Sequence, residues 1–403
     1  MTTQDYIDRE NRYGAHNYHP IPVVLEKGEG VFVWDVDGKK YYDFLASYSA
    51  VNQGHCHPRL VKAMTEQASK LSLTSRAFYN NKLGEFEEYI TKLFEYDKVL
   101  PMNSGAEGVE TAIKLARKWG YKVKGIAQDQ AKIIVCNGNF HGRTITIISM
   151  SNDPSAYNDF GPYTSGFYKI PYNDISALGK ALSEPDVAAF LVEPIQSEAG
   201  VFVPAHGYLK AARELCNQYN VLFIADEIQT GLARTGKTLA CDYEEVKPDV
   251  LILGKAISGG MYPVSCVLAN NGIMLTIRPG EHGSTYGGNP IAATVAIEAL
   301  KIIQEEKLAE NADRMGKIFR TEMSSFESSL IEDIRGKGLL NAISINPSEG
   351  KNAWDVCLAM KEYGILAKPT HGNIIRFTPP LTIKKDQMLD ALDRIKKAFS
   401  TFE

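Results

Sequence analysis

Val221-Leu-Phe-Ile-Ala-Asp226-Glu-Ile-Gln229-Thr-Gly231 and Val250-Leu-Ile-Leu-Gly-Lys255-Ala-Ile-Ser-Gly-Gly260 are apolar runs that each end on a charged residue. A strand with one face in water alternates apolar and polar residues, whereas these runs are apolar at consecutive positions. That pattern belongs to strands buried on both faces, as in a parallel sheet with helices on either side. Lys132-Ile-Ile-Val135 and Ala189-Phe-Leu-Val192 read the same way, and helical stretches separate all four. The predicted class is therefore α/β, with a large doubly wound, mostly parallel sheet. In such sheets ligands collect beyond the carboxyl ends of the strands. The residues standing there are Cys136-Asn-Gly138, Glu193-Pro194, Asp226-Glu227 and Gly254-Lys255, so a carboxylate and a lysine are placed at neighbouring strand ends.

Working outward, Asn103-Ser-Gly-Ala-Glu-Gly-Val-Glu110 opens an amphipathic helix with Val109, Ala112, Ile113 and Ala116 at helical spacing. Ser104 suits the N-cap, and Gly105 lets a ligand approach the backbone. Free N–H groups at such a start suit a phosphate, although the same residues also describe a plain well-capped helix. No nucleotide phosphate-loop pattern is present. Upstream, Val31-Phe-Val-Trp34, Asp37-Gly38 and Tyr41-Tyr42 spell a hairpin with a tight turn. Downstream, helices from Pro290 and Leu308, apolar runs at Ala342–Ile345 and Ile374–Phe377 and a final helix form a smaller α+β domain. The expected division is an N-terminal segment (1–50) packing with the small domain, a large cofactor-binding domain (51–290) and the C-terminal small domain (291–403).

The 403 residues are enough to bury a large core without disulfides. Lys and Arg number 44 against 48 Asp and Glu, a net charge of −4 that speaks against nucleic acid as partner. No apolar run suggests a membrane span. The six cysteines are scattered without metal-ligand or disulfide spacing, which suits a reducing compartment. Asp5, Asp8 and Glu10 lie where a targeting peptide would avoid acids. Cytoplasmic residence is expected, with the mitochondrial matrix as the alternative if a presequence is missing. His55-Cys56-His57 cannot readily converge on one ion, so no metal is expected.

Lys255 between an apolar strand and a glycine-rich turn is a candidate amine nucleophile, because withdrawal from water lowers a lysine's pKa. Asp226 at the next strand end needs a positive partner if buried, and a protonated pyridine nitrogen would serve. A Schiff-base lysine, an aspartate on a pyridinium and a phosphate cup together describe a site for pyridoxal phosphate.

The chain resembles the class III pyridoxal-phosphate aminotransferases and, among them, the ornithine-specific group. The segments that carry the likeness are Gly14-Ala-His-Asn-Tyr18-His-Pro, Tyr48-Ser-Ala-Val-Asn-Gln-Gly-His-Cys-His-Pro, Ser75-Arg-Ala-Phe-Tyr-Asn-Asn, Glu193-Pro-Ile-Gln, Asp226 to Gly236, Gly254 to Gly260 and Gly280 to Pro290. The resemblance implies fold type I, a homodimer or a higher assembly built from it, and active sites at the subunit interface. It implies that Lys255 binds the cofactor and moves the proton, Asp226 holds the pyridinium proton, Gln229 faces the phenolic oxygen and Phe140 stacks on the ring. Gly105 and Ala106 would take the phosphate, joined by Thr285 from the other subunit. The implied reaction moves the δ-amino group of L-ornithine to 2-oxoglutarate, giving glutamate 5-semialdehyde and L-glutamate. Tyr18 and Arg143 would grip the ornithine α-carboxylate and Tyr48 would line the pocket. Arg376 would take the glutamate α-carboxylate once Glu198, which masks it, swings away. His141 and Ser197 depart from the animal pattern, where Trp and Gly are common.

Three alternatives stay open on sequence. Arg143 or Arg376 alone could be an ordinary salt-bridge residue. The substrate could be that of another member, an acetylornithine or 4-aminobutyrate aminotransferase or an aminomutase, against which Tyr18 and Tyr48 speak. A non-catalytic cofactor-binding protein on this fold would have no need of Lys255, Asp226 and Arg376.

Overall fold

The consecutive apolar runs become the middle of a seven-stranded sheet. The structure is a computed structural model that describes residues 1–347 and 351–402. Three strands near the N-terminus, β1 (Leu25–Glu29), β2 (Phe32–Asp35) and β3 (Lys40–Asp43), form an antiparallel meander. Gly38 makes its turn with φ +83°, which a glycine adopts without cost. The large sheet comprises β4 (Lys98–Met102), β5 (Lys132–Cys136), β6 (Phe167–Ile170), β7 (Val187–Val192), β8 (Leu222–Asp226), β9 (Val250–Leu253) and β10 (Ser265–Ala269). Their order is β4-β10-β9-β8-β7-β5-β6. All run parallel except β10, which is antiparallel to both neighbours.

Alternate residues of the central strands feed two separate cores, which is why the runs are apolar throughout. Ile133, Val135, Ala189, Leu191, Leu222 and Ile224 pack on one face with Val109, Ala112, Ile113 and Ala116 of the helix Gly105–Trp119. Ile134, Cys136, Phe190, Val192, Phe223 and Ala225 pack on the other, against the helices Ile175–Leu182 and Tyr208–Gln218. Each Val, Leu, Ile or Phe among them contributes roughly 1.5–3 kcal/mol on leaving water, so a polar residue within these strands would be costly. The polar residues stand at the strand ends instead.

The last third holds the helices Pro290–Glu305, Leu308–Ser324, Ala353–Glu362 and Lys385–Phe399. With them comes an antiparallel sheet of β11 (Ile331–Lys337), β12 (Leu340–Ile345), β14 (Lys368–Pro369) and β15 (Ile374–Phe377). The short β13 (Ile365–Leu366) pairs parallel with β3, tying the N-terminal meander to this region. Arg234, buried and among the described residues without a carboxylate partner, donates to the carbonyls of Leu339 and Pro379 and to Asn52, joining three stretches of chain.

Candidate active site

Five loops that leave carboxyl ends of the large sheet meet around a cavity of about 140 Å³. Gly105 and Ala106 follow β4, Phe140 and His141 follow β5, Glu193 follows β7, Asp226 ends β8 and Lys255 follows β9. Every one of them lines it. The apolar strands hold the ends in register, so the polar groups converge although the chain separates them widely.

At the helix start, the Ser104 hydroxyl accepts from Glu107 N, and the Glu107 carboxylate accepts from the N–H groups of Asn103 and Ser104. Among the described residues no bond within the protein takes up the N–H groups of Gly105 and Ala106. A Cβ at Gly105 would lie 3.1 Å from Ile228 Cδ1, so the cradle accommodates little beyond glycine. Free donors at a helix N-terminus favour an anion.

Asp226 is buried and fully engaged on the protein side. Oδ1 accepts from Ile228 N at 3.1 Å, and Oδ2 lies 2.7 Å from His141 Nδ1. Burial by itself would lower the His141 pKa, but the bond to Asp226, the charge of Asp226 and that of Glu193 together raise it. Glu193 accepts from Phe140 N at 2.9 Å, and burial pushes its carboxyl up to about 7 against the pull of His141. The Lys255 amine is pushed down to about 8, first by burial and then by the charge of Arg376. Lys255 also sits at φ +43°, in the left-handed region disfavoured for a side-chain-bearing residue. A buried lysine of lowered pKa at a strained turn, opposite a buried carboxylate, is the arrangement of a nucleophile with an electrostatic anchor.

The residues present fit pyridoxal phosphate. Among the described residues, Gln229 Oε1 and His141 Nε2 are buried polar atoms without protein partners. Gln229 lines the cavity and offers a polar ligand a partner, and a half-turn of its amide presents a donor instead. Phe140 and Asp226 supply an apolar face and an anion at the wall, and the helix start supplies the phosphate donors.

The substrate side lies outward of this cavity. Arg376, on β15 between Ala342 of β12 and Lys368 of β14, is buried, and its Nη1 donates to Glu198 Oε2 at 2.7 Å and to Ser197 O at 3.3 Å. Burial would raise the Glu198 pKa, but Arg376 outweighs it and the net direction is down. Tyr48 rides on a left-handed turn, with positive φ at Ala46, Ser47, Tyr48 and Ser49. The Asp43 carboxylate, accepting from Leu45 N and Ala46 N, anchors the turn, and the ring lies 5.3 Å from the Arg376 guanidinium. Tyr18 is two-thirds exposed, with the Lys368 ammonium 5.6 Å from its ring centre. Arg143 is exposed and lies 5.4 Å from the Phe140 ring.

The family model described as aminotransferase class-III matches residues 13–399. The chain belongs to the class III aminotransferases. It is 65% identical over 389 residues to the mitochondrial ornithine aminotransferase of Drosophila melanogaster, an alignment covering 96% of this chain and 90% of that one. Among solved structures, the ornithine aminotransferase from Toxoplasma gondii superposes with a TM-score of 0.98 at 50% identity, covering 100% of this chain and 96% of that one. A structure described as acetylornithine aminotransferase from Elizabethkingia anophelis gives 0.92 at 59% identity, with 100% of both chains covered. Class III aminotransferases use pyridoxal phosphate, so the cofactor expectation holds for this family, as does fold type I.

Of the residues singled out in the sequence, Lys255, Asp226, Gly105, Ala106, Phe140 and Gln229 meet in the cavity, with Glu198, Arg376 and Tyr48 clustered beside it. Thr285 does not line its own chain's cavity. It is exposed, on a loop whose Ser284 hydroxyl accepts from Asn103. Sequence reasoning missed His141 as the hydrogen-bond partner of Asp226, Glu193 as a buried acid that His141 faces, and Lys368 beside Tyr18. An acid directly after the wholly apolar β7 was the available signal for Glu193. The two histidines of His55-Cys56-His57 bond to different acids, Asp43 and Glu306. Among the described residues no helix is long and apolar enough to cross a membrane.

Proposed function

We propose that this chain transfers the δ-amino group of L-ornithine to 2-oxoglutarate, giving glutamate 5-semialdehyde, which cyclises to pyrroline-5-carboxylate, and L-glutamate. The observation that carries the reading is the Arg376–Glu198 pair at 2.7 Å beside the Lys255 cavity. Ornithine reacts at its δ-amine and glutamate at its α-carbon, so one site must hold an α-carboxylate at two distances from the reacting atom. A guanidinium that is masked in one half-reaction and open in the other meets that need. The relatives at 53–65% identity that carry the ornithine aminotransferase name support the same assignment.

Pyridoxal phosphate, when bound, supplies an electrophilic carbon for amines and a ring that accepts the electron pair left by a broken C–H bond. Asp226, oriented by His141 and Ile228 N, holds the proton on the ring nitrogen. Lys255 Nζ, a free base above about pH 8, would bind the cofactor and would serve as the base that takes up and returns the substrate proton. Phe140 would cover the ring, and the Gly105 and Ala106 N–H groups would bind the phosphate. Tyr18 and Arg143 at the mouth take the ornithine α-carboxylate, and Tyr48 narrows the passage between. A second copy brings Thr285 to complete the phosphate site, so the working unit is a homodimer or a larger assembly of it. The division into residues 1–50, 51–290 and 291–403 describes how the chain builds the site, and the setting is aqueous, cytoplasm or mitochondrial matrix.

The test is a comparison of amino donors at saturating 2-oxoglutarate, with the product trapped as pyrroline-5-carboxylate. Ornithine is expected to be the preferred donor. A second reading, N-acetylornithine as donor, has the Elizabethkingia anophelis likeness in its favour; equal or better turnover of that compound would replace the first reading.

A further inference from the structure

Arg376 raises an electrostatic problem that its immediate surroundings do not solve. Its side chain is 2% exposed and Glu198 is its carboxylate partner. A substrate carboxylate that binds Arg376 must first take Glu198 off it. Glu198 is itself largely buried, its side chain 24% exposed. An anion stripped of its cation in such a place is strongly disfavoured, enough to cancel most of what the new pair contributes. The exchange proceeds cheaply only if a second cation stands ready.

One does. β14 runs beside β15, and Lys368 lies opposite Arg376 in the ladder. Two residues on, the Thr370 hydroxyl donates to the Glu198 carbonyl, so the same stretch is tied to the Glu198 backbone. Lys368 is half-buried, and among the described residues it forms no ion pair; its ammonium faces the Tyr18 ring. Burial lowers its pKa, with the negative charge of Glu198 acting in the opposite sense. Lys255 and His371 also act on Glu198, but Lys255 is committed to the cofactor, and His371 faces Asp153 at 3.9 Å and is more exposed. A half-buried ammonium with no carboxylate of its own, on a flexible four-carbon stem, is unusual unless an anion visits it.

We propose that Lys368 is the second partner of Glu198, receiving its carboxylate when a dicarboxylate occupies Arg376 and returning it when ornithine is bound. Lys368 is then a positioning residue that sets specificity for the dicarboxylate half-reaction. The assignment rests on the two-substrate reading above.

The experiment uses the cofactor-loaded enzyme and glutarate, a dicarboxylate with no amino or oxo group to react. Calorimetry gives its Kd for the wild type, K368M, K368Q, K368R and E198Q, and for K368M in the E198Q background. K368M and K368Q should weaken glutarate roughly tenfold, the scale of one charge-assisted contact. The KM for ornithine should rise by a smaller factor, and K368R should restore glutarate binding. With Glu198 neutralised there is no charge to rehouse, so K368M should then change little. Equal weakening in the E198Q background would mean that Lys368 attracts the ligand directly, and the proposal falls. An effect on ornithine alone would reduce Lys368 to a prop for Tyr18 and would overturn the proposal as well. Failure of the wild type to use ornithine would overturn the functional reading, whereas wild-type ornithine turnover with unchanged glutarate affinity in K368M would overturn only this one.

Discussion

The wall of the cavity and its mouth are built on different principles. At the wall, Asp226, His141 and Glu193 are buried, and each is joined to a neighbour by a hydrogen bond of 2.7–3.1 Å from strand ends that the two-sided core holds still. At the mouth, Tyr18 and Arg143 are exposed, Tyr48 rides a left-handed turn, and Glu198 sits partly exposed in an ion pair with Arg376. Cofactor chemistry is the same in both half-reactions and profits from groups that do not move. Substrate recognition must change between half-reactions, and there the structure places rings and exchangeable charges.

The largest break in this contrast comes from the wall. Lys255→Ala should lower turnover at least ~10⁴-fold, since the variant loses both the amine that binds the cofactor and the base. Cofactor retention measured alongside should fall less, because the phosphate and ring contacts remain. The pKa of about 8 adds a sharper test. Apoenzyme should capture pyridoxal phosphate at a rate that climbs about tenfold per pH unit up to near pH 8 and then levels, following the free base. A climb continuing toward the ordinary lysine value would show that burial does not activate this amine.

His141→Phe tests whether the wall is one electrostatic unit. It removes one member of a buried charged pair and should cost about 3–5 kcal/mol in urea unfolding of the apoenzyme. Because the His141 pKa is raised in the fold, its contribution is complete below its unfolded value of 6.5 and disappears as pH rises through the folded one. The gap between wild type and variant should therefore be widest at or below pH 6.5 and should narrow as pH rises through the higher folded-state value. A gap independent of pH would assign His141 a packing role only.

The same division decides what was legible in the sequence. The strand ends were readable because two-sided burial writes itself into consecutive apolar residues, and Lys255 and Asp226 interrupt that pattern. The start of the helix at Gly105 was readable from Ser104, which does cap it, and Glu107 completes a capping box with it. His141 stood out only as a departure. Its partner lies 85 positions away and no local period records the contact. The reversal of β10 was likewise hidden, since an apolar strand carries no sign of its direction. At the mouth almost nothing was local. The left-handed turn at Ala46–Ser49 contains no glycine and is held by Asp43, and Lys368 acquires its meaning only through a sheet register. Tyr18, Arg143, Glu198 and Arg376 were singled out by family resemblance, not by spacing.

The smallest effect is expected at the mouth, from Tyr18→Phe. The ring stays, so its stacking with the Lys368 ammonium survives, and only the hydroxyl is lost. A hydrogen bond to a substrate carboxylate at an exposed site is worth about 0.5–1.5 kcal/mol, roughly two- to tenfold in kcat/KM. That loss should fall on ornithine and spare 2-oxoglutarate, whose carboxylate is assigned to Arg376. The ratio of the two kcat/KM values is therefore the quantity to measure, because a general disturbance of the mouth would lower both and leave the ratio unchanged. An unchanged ratio would remove Tyr18 from ornithine recognition, and with it the claim that the exposed rim, and not the buried wall, selects the donor.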